Sequence, residues 1–277
     1  MRPPKKVKLI ALDIDGTLLD ESKRLPAANR EALAEAARRG VRIAISSGRM
    51  TPTIDPIQDL IGIDCIVIAY NGGKVLASRA EGRRVIAHRP VPAAVSDELI
   101  DFARENGFLL NFYHEDRLFA EDGPTRRPFM EIYSGRTGAR YEIEDDLRRF
   151  QGIGPTKMIL LAEPATRDRL HDELRARFEG RAFITKSDPE YLEIMAPGVD
   201  KGAALGDLAR HAGLTPDEIL AVGDADNDIG MLRAAGVGVA VRNAKPHVQA
   251  AADAVTERTN SEGAVAEAVE RFVLRSA

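Results

Sequence analysis

The stretch Val7-Lys8-Leu9-Ile10-Ala11-Leu12-Asp13-Ile14-Asp15-Gly16-Thr17 decides the fold. Val7 to Ile14 is a short, β-rich, mainly apolar run, and the acids and glycine at its end mark a strand that stops in a turn. Pro26 then stands where helices like to begin, Leu33, Ala36 and Ala37 share one helical face, and Gly40 closes that helix. Val41 to Ser46 and Cys65 to Ala69 read as second and third strands, each ending in a polar or glycine-containing turn. Near the other end, Ala204, Leu205, Leu208, Ala209 and Ala212 lie on one face of a helix closed by Gly213. Ile219 to Val222 and Val237 to Val241 follow as strands, the second after a short helix ending at Gly236. Strands alternating with amphipathic helices predict βαβ units and an α/β fold with a doubly wound, mainly parallel sheet.

Between these two regions, from about Val85 to Pro189, the pattern changes. Ala93 to Asn106 and Thr166 to Phe178 read as helices, and Phe108 to Tyr113 and Leu118 to Ala120 as paired strands. Lys157 to Ala162 and Ala182 to Thr185 read as further strands. Neighbouring strands that pair while helices cover one face predict a separate α+β unit. The expected division is 1–84, 85–188 and 189–277, the first and last segments forming one domain and the middle one inserted into it.

Composition narrows the class. The chain has 277 residues, 44% of them hydrophobic, which suffices for one or two packed domains. Its 43 acidic and 39 basic residues leave a formal charge of −4, and no basic excess is available for a nucleic-acid backbone. The single Cys65, set in an apolar run, reads as a small core residue in a reducing compartment. The basic start Met1-Arg2-Pro3-Pro4-Lys5-Lys6-Val7 leads into a run broken by Lys8, Asp13 and Asp15, too short and too charged for a secretory signal. No stretch approaches the roughly 20 apolar residues of a membrane span. A soluble, cytoplasmic protein with no nucleic-acid or membrane partner is expected.

The chemistry sits at strand ends, where open α/β sheets bind ligands. Period-two geometry places Asp13 and Asp15 on one side of the first strand, and Gly16 lets the chain turn just beyond them. Two carboxylates this close call for a cation or a shared proton, and hard oxygen donors favour Mg²⁺; Asp and Gly are also the residues of an ordinary solvated turn. Ser46-Ser47-Gly48-Arg49 offers a hydroxyl, backbone N–H groups and a guanidinium to an anion, with a helix dipole to follow, or caps that helix. Gly223-Asp224-Ala225-Asp226-Asn227-Asp228 brings three acids to another strand end. A helix starting near Asp226 sets Asp224 and Asp228 one turn apart, facing one point. Lys201 opens a helix, a position that opposes the dipole unless the ammonium neutralises nearby anions.

This ordered set resembles the haloacid dehalogenase superfamily, and within it the Cof-type (type IIB) phosphatases. The matching pieces are Asp13-Ile14-Asp15-Gly16-Thr17-Leu18, Ser47-Gly48-Arg49, Asn71-Gly72-Gly73, Tyr191-Leu192-Glu193-Ile194, Gly198-Val199-Asp200-Lys201-Gly202, and Gly223 to Asp228 with Met231. The resemblance implies a Rossmann-like core with an inserted cap that governs specificity. It implies Asp13 as the nucleophile that forms an aspartyl-phosphate, and Asp15 as general acid and then base. Mg²⁺ would be held by Asp13, the Asp15 main-chain carbonyl and Asp224, with Asp228 in support. Ser47, Gly48, Lys201 and Asn227 would hold phosphoryl oxygens, and Arg49 and Asn71 are candidate substrate contacts. Ser47 stands where many relatives have threonine, and Ala225 where glycine or a small polar residue is frequent.

The implied reaction is Mg²⁺-dependent hydrolysis of small phosphorylated metabolites, sugar phosphates foremost. A phosphomutase of the same fold and a catalytically silent sensor of a phosphorylated ligand are the alternatives. For the acid role, the neighbours of Asp15 are expected to raise its pKa. In the middle segment, Tyr113, His114, Glu115, Asp116 and Arg117 read as a solvated hairpin tip, with Arg126 and Arg127 beyond it. Glu144-Asp145-Asp146 with Arg148-Arg149 reads as a salt-laced helix face. His88, His171, His211 and His247 show no metal-ligand spacing.

Overall fold

The computed structural model describes residues 6–275; the first five residues of the basic N-terminus lie outside them. Elements are numbered in chain order. The N-terminal part contains β1 (Leu9–Asp13), α1 (Ala27–Arg38), β2 (Arg42–Ser46), α2 (Thr51–Ile61), β3 (Ile66–Ala69), β4 (Lys74–Leu76) and β5 (Val85–His88). The middle part contains α3 (Ala93–Asn106), β6 (Leu109–His114), β7 (Arg117–Glu121), α4 (Arg127–Thr137), β8 (Glu142–Glu144), β9 (Lys157–Leu161), α5 (Pro164–Arg177), β10 (Phe183–Lys186) and β11 (Tyr191–Met195). The last part contains α6 (Lys201–Ala212), β12 (Ile219–Gly223), α7 (Ile229–Ala234), β13 (Val237–Ala240), α8 (Pro246–Ala251), β14 (Ala254–Val255) and α9 (Ala264–Val269).

The chain divides into two compact units, residues 1–88 with 200–277, and residues 89–199. The first holds an eight-stranded sheet in the order β14-β13-β12-β1-β2-β3-β4-β5. It is parallel from β14 to β3, and β4 and β5 extend it antiparallel. Its central strands are buried along their whole length, which is why they read as near-continuous apolar runs. From β1 the chain winds outward through β2 and β3, then returns to β12 on the other side and winds outward the opposite way. Crossovers of one hand running in opposite directions put their helices on opposite faces, and the strand order switches between β1 and β12. The register sets Leu12 beside Val222, so Asp13 and Gly223 end the two strands side by side. Cys65 is a buried free thiol just before β3.

The second unit holds a six-stranded sheet in the order β10-β11-β9-β6-β7-β8, antiparallel except for the β7–β8 pair. One face carries Leu110, Phe112, Met158, Leu160, Leu192 and Ile194, and packs on Val95, Leu99, Ile100 and Ala103 of α3 and Leu170 and Leu174 of α5.

Several expectations need correction. The second unit begins at Arg89 and ends at Val199, not at 85 and 188. Val85–His88 pairs with β4 in the first sheet, and Tyr191–Met195 lies between β9 and β10 in the second. Nothing in the sequence marks that second boundary, because β11 runs into Gly198-Val199-Asp200 with only a brief turn between. Helices do not cover one face alone, since Tyr133 of α4 packs against Tyr191 on the face opposite α3 and α5. Glu144 to Arg149 is no helix face. Glu144 ends β8, Asp146 caps a single 3₁₀ turn over Leu147–Phe150, and the ion pairs Arg149–Glu144 and Arg148–Asp146 tie the corner. Tyr113 is buried; the exposed hairpin tip is Glu115-Asp116, both at positive φ as a two-residue connection demands.

Candidate active site

Asp13 is the last residue of β1, and its carboxylate is buried. The Lys201 ammonium, itself wholly buried, donates to Asp13 Oδ1 at 2.5 Å and to Asp228 Oδ1 at 2.7 Å. Lys201 reaches this point because it opens α6, whose N-terminus is capped by Asp200; that carboxylate accepts from Gly202 N at 2.6 Å and Ala203 N at 2.9 Å. The dipole penalty on a cation in the first turn is thus met by a cap and two buried carboxylates.

Asp228 comes from a 3₁₀ turn at Asp226–Asp228 that follows β12. Its Oδ2 accepts from the backbone N–H groups of Asp224 and Ala225, both at 3.0 Å, so the loop closes on its own last acid. Asp224 is half-buried and its Oδ1 accepts from the Thr17 hydroxyl at 2.8 Å. Gly16 stands at φ 86°, and a Cβ there would strike the Asp224 carboxylate, so glycine is required on both counts. The Asn243 amide donates to Gly16 O at 2.8 Å and pins the turn.

Oxygens of Asp13, Asp224 and Asp228 lie within 4.8 Å of one another. Burial pushes the Asp13 carboxyl well up, and the charges of Asp228 and Asp224 add to this against the pull of Lys201. Burial and the Asp228 charge also raise Asp224, against the Thr17 hydrogen bond. Burial alone would disfavour the Lys201 ammonium, but Asp13 and Asp228 outweigh it and hold its pKa above the ordinary lysine range. Carboxylates therefore outnumber ammonium in a buried space. A hard divalent cation suits that donor set, with Asp13 and Asp224 the carboxylates whose oxygens are least committed.

Asp15 behaves differently from the expectation. β1 ends at Asp13, so the period-two alternation does not extend to Asp15, which lies in the turn and whose side chain takes no part in the acidic cluster. Instead Arg49 grips it with two hydrogen bonds, Nε to Oδ2 at 2.8 Å and Nη2 to Oδ1 at 2.7 Å, and Lys23 Nζ adds a third to Oδ1 at 2.7 Å. Burial raises its pKa, but these cations more than offset burial and hold it below the ordinary value, opposite to the rise expected.

The remaining positions follow the strand ends. Ser47 is buried directly after β2; its Oγ accepts from Arg49 N at 3.2 Å and its carbonyl from Asn71 N at 2.9 Å. Gly48 is packed so closely on the Asn71 side chain that a Cβ would stand 3.0 Å from Oδ1. Asn227 is exposed and its amide donates to Asn71 Oδ1 at 2.9 Å. Thr17, Lys23 and Asn243 had no assigned role in the sequence. Thr17 lies inside a quoted motif, whereas Lys23 meets Asp15 through a left-handed backbone (φ 60°) that no local pattern announces.

A buried lysine clasped by two aspartates, with a third aspartate beside them, thus stands at the switch point of a doubly wound sheet, where open α/β sheets bind their ligands. A family profile described as haloacid dehalogenase-like hydrolase matches residues 10–269. The chain is 32% identical over 268 residues to a phosphoglycolate phosphatase of Methanoculleus marisnigri, covering 96% of this chain and 97% of that protein. A haloacid dehalogenase-like hydrolase from Bacteroides thetaiotaomicron superposes with a TM-score of 0.86 at 30% identity, over 96% of this chain and 99% of that one. The subclass IIB sugar phosphatase BT4131 superposes with a TM-score of 0.79 at 26% identity, over 96% and 99%. The chain belongs to the haloacid dehalogenase-like hydrolases, among the Cof-type phosphatases. Among the described residues no helix is long and apolar enough to cross a membrane.

Proposed function

We propose that the protein is a Mg²⁺-dependent phosphatase that hydrolyses small phosphorylated metabolites through an aspartyl-phosphate on Asp13. The carrying observation is the Asp13–Lys201–Asp228 clasp beside Asp224 at the switch point. Mg²⁺ would be held by the Asp13 and Asp224 carboxylates and the Asp15 main-chain carbonyl, with Asp228 in support. When bound, it supplies positive charge that neutralises phosphoryl oxygens.

The chain's own residues supply the rest. An Asp13 oxygen attacks phosphorus, and the bond from phosphorus to the ester oxygen breaks. Asp15 gives its proton to the departing oxygen, then takes one from the water that attacks the acyl phosphate and releases inorganic phosphate. Arg49 and Lys23 hold Asp15 in its ionised, base form here, so the acid half of the cycle requires those cations to let go of the carboxylate. Lys201, the Ser47 hydroxyl, the Gly48 N–H and Asn227 position the phosphoryl oxygens, and Arg49 and Asn71 contact the substrate. The unit of residues 89–199 acts as the cap that selects the leaving group.

Asp13→Asn tests this directly. With Mg²⁺ and an aryl phosphate, wild-type protein is expected to release phosphate and the variant to lose at least 10³-fold in kcat while keeping its far-UV circular dichroism. Wild-type turnover in the variant would remove Asp13 as the nucleophile. Following ³¹P from a hexose phosphate separates hydrolase from mutase, inorganic phosphate marking the former and a positional isomer the latter.

A further inference from the structure

Tyr70, Asn71 and Gly72 follow β3 as three consecutive residues at positive φ, 53°, 54° and 101°. Left-handed backbone is routine for glycine and tolerated by asparagine, but for a bulky aromatic residue it is a genuine outlier. Of the six non-glycine residues at positive φ among the described residues, Tyr70 alone is buried. Strain of this kind persists only where the surroundings over-determine it, and it gathers where a site needs its groups held in place.

Three segments that lie far apart in the sequence converge on this turn, all within the first unit. Tyr70 N donates to the Arg49 carbonyl at 3.1 Å and Asn71 N to the Ser47 carbonyl at 2.9 Å, which ties down the loop after β2 on both sides of Gly48. The Asn71 amide fills the space over Gly48, where a Cβ would stand 3.0 Å from its Oδ1 and 3.1 Å from its Nδ2. Gly72 packs on the start of α6, and a Cβ there would strike the carbonyl oxygen of Asp200, the residue that caps the helix opened by Lys201. The third segment is the loop after β12, whose Asn227 amide donates to Asn71 Oδ1 at 2.9 Å.

Asn227 is exposed, so its side chain loses rotamer freedom when it is ordered. Its amide nitrogen carries two donors, and spending one on Asn71 fixes the direction of the other. Donors ordered in advance need no rearrangement when an anion arrives. We propose that Asn71 is a positioning residue for phosphate binding: the strained turn Tyr70-Asn71-Gly72 orders the Asn227 amide and the Gly48 backbone before the ligand enters. The role rests on the phosphatase reading, in which Asn227 and the Gly48 N–H hold phosphoryl oxygens, and it adds to the substrate contact proposed there for Asn71.

Inorganic phosphate carries no leaving group, so its affinity reports this role apart from contacts to the rest of a substrate. Full-length wild type, Asn71→Gly, Asn227→Ala and the double variant are titrated with inorganic phosphate in Mg²⁺ and followed by ³¹P NMR. Glycine keeps the left-handed backbone while removing the amide, so Asn71→Gly is expected to melt within about 2 °C of wild type. Each single variant is expected to bind phosphate about fivefold or more weakly, the loss that one hydrogen bond represents. The double variant is expected within about twofold of the weaker single, because Asn71 acts through Asn227. Losses that multiply in the double variant overturn the proposal, as does wild-type protein that binds no inorganic phosphate. Wild-type affinity in Asn71→Gly overturns it too, and with a lowered melting temperature marks a residue that only supports the fold. Asn227→Ala alters an exposed side chain and keeps the test decisive should Asn71→Gly fail to fold, since wild-type affinity in that variant is by itself enough to overturn the proposal. Failure of the phosphatase reading shows separately, as no phosphate released from any monophosphate by wild-type protein with Mg²⁺.

Discussion

Lys201 sets the electrostatics of the site from a position without solvent, between two carboxylates that share its ammonium. Removing one partner of a buried ion cluster costs about 3–5 kcal/mol, because the remaining charges lose their counter-ion and regain no water. Lys201→Met is therefore expected to lower stability by about that amount in urea unfolding at pH 7. The deficit shrinks as pH falls, since protonation of Asp13, whose carboxyl is held well above the ordinary value, relieves the unpaired charge. A deficit below about 1 kcal/mol would mean that the pair behaves like an exposed surface bridge. The residue scale also shows what spacing alone conveys. Lys201 against the dipole was legible as a sign of nearby anions, whereas Asp224 and Asp228 meet through a loop closed by the Asp228 carboxylate on the Asp224 and Ala225 N–H groups, not across a turn of a helix begun at Asp226. The pairing of Asp13 with Asp15 was not legible, because it depends on whether the strand continues two residues further. It stops at Asp13, and the Arg49 and Lys23 side chains come from other loops to claim Asp15.

At the scale of elements, α6 carries Lys201 to the site and its first turn crosses α7 with no room to spare. A Cβ on Gly202 would collide with the Gly230 carbonyl, whereas one on Gly206, a turn later, would meet only the Arg210 guanidinium at 3.7 Å. The same substitution in one helix is thus expected to have opposite signs. Gly206→Ala adds helix propensity and stabilises by about 0.5–1 kcal/mol. Gly202→Ala forces the two helices apart, destabilises by about 1–3 kcal/mol and lowers phosphatase turnover by shifting Lys201. Thermal melts and a single-substrate assay on the two variants decide this, and equal stability would show that the crossing can relax. The long elements, β1, α1, α3 and α6, were legible because each repeats its apolar pattern over several turns or a whole buried strand. The short additions β4, β5, β8 and β14 were not, because two to four residues at a sheet edge hold no period to read.

For the whole molecule, the acidic cluster joins the first strand to the last third of the chain. Asp13 comes from β1, and Asp224 and Asp228 follow β12, so anything that bridges them stabilises the entire first unit. The raised carboxyls of Asp13 and Asp224 give the metal-free cluster a pH dependence of its own, opposite in sign to that of the lowered carboxyls such as Asp15. Unfolded, Asp13 and Asp224 titrate near the ordinary value of 3.8; folded, they hold their protons to higher pH. Above that ordinary value the folded state therefore binds more protons than the unfolded one, and the contribution of these groups falls as pH rises through their folded pKa values. A bound divalent cation requires them ionised, so its binding releases protons and strengthens with pH over the same window. At Mg²⁺ concentrations about 100-fold above its dissociation constant, linkage gives about 2.7 kcal/mol, or a rise of about 5–10 °C in the melting of this unit. The rise over EDTA is expected to be larger at pH 8 than at pH 5. Asp224→Asn removes a like charge from the cluster, so its metal-free melting temperature is expected to equal or exceed that of wild type while its response to Mg²⁺ is lost. A Mg²⁺ shift that is independent of pH, or one retained in Asp224→Asn, would place the cation elsewhere on the molecule.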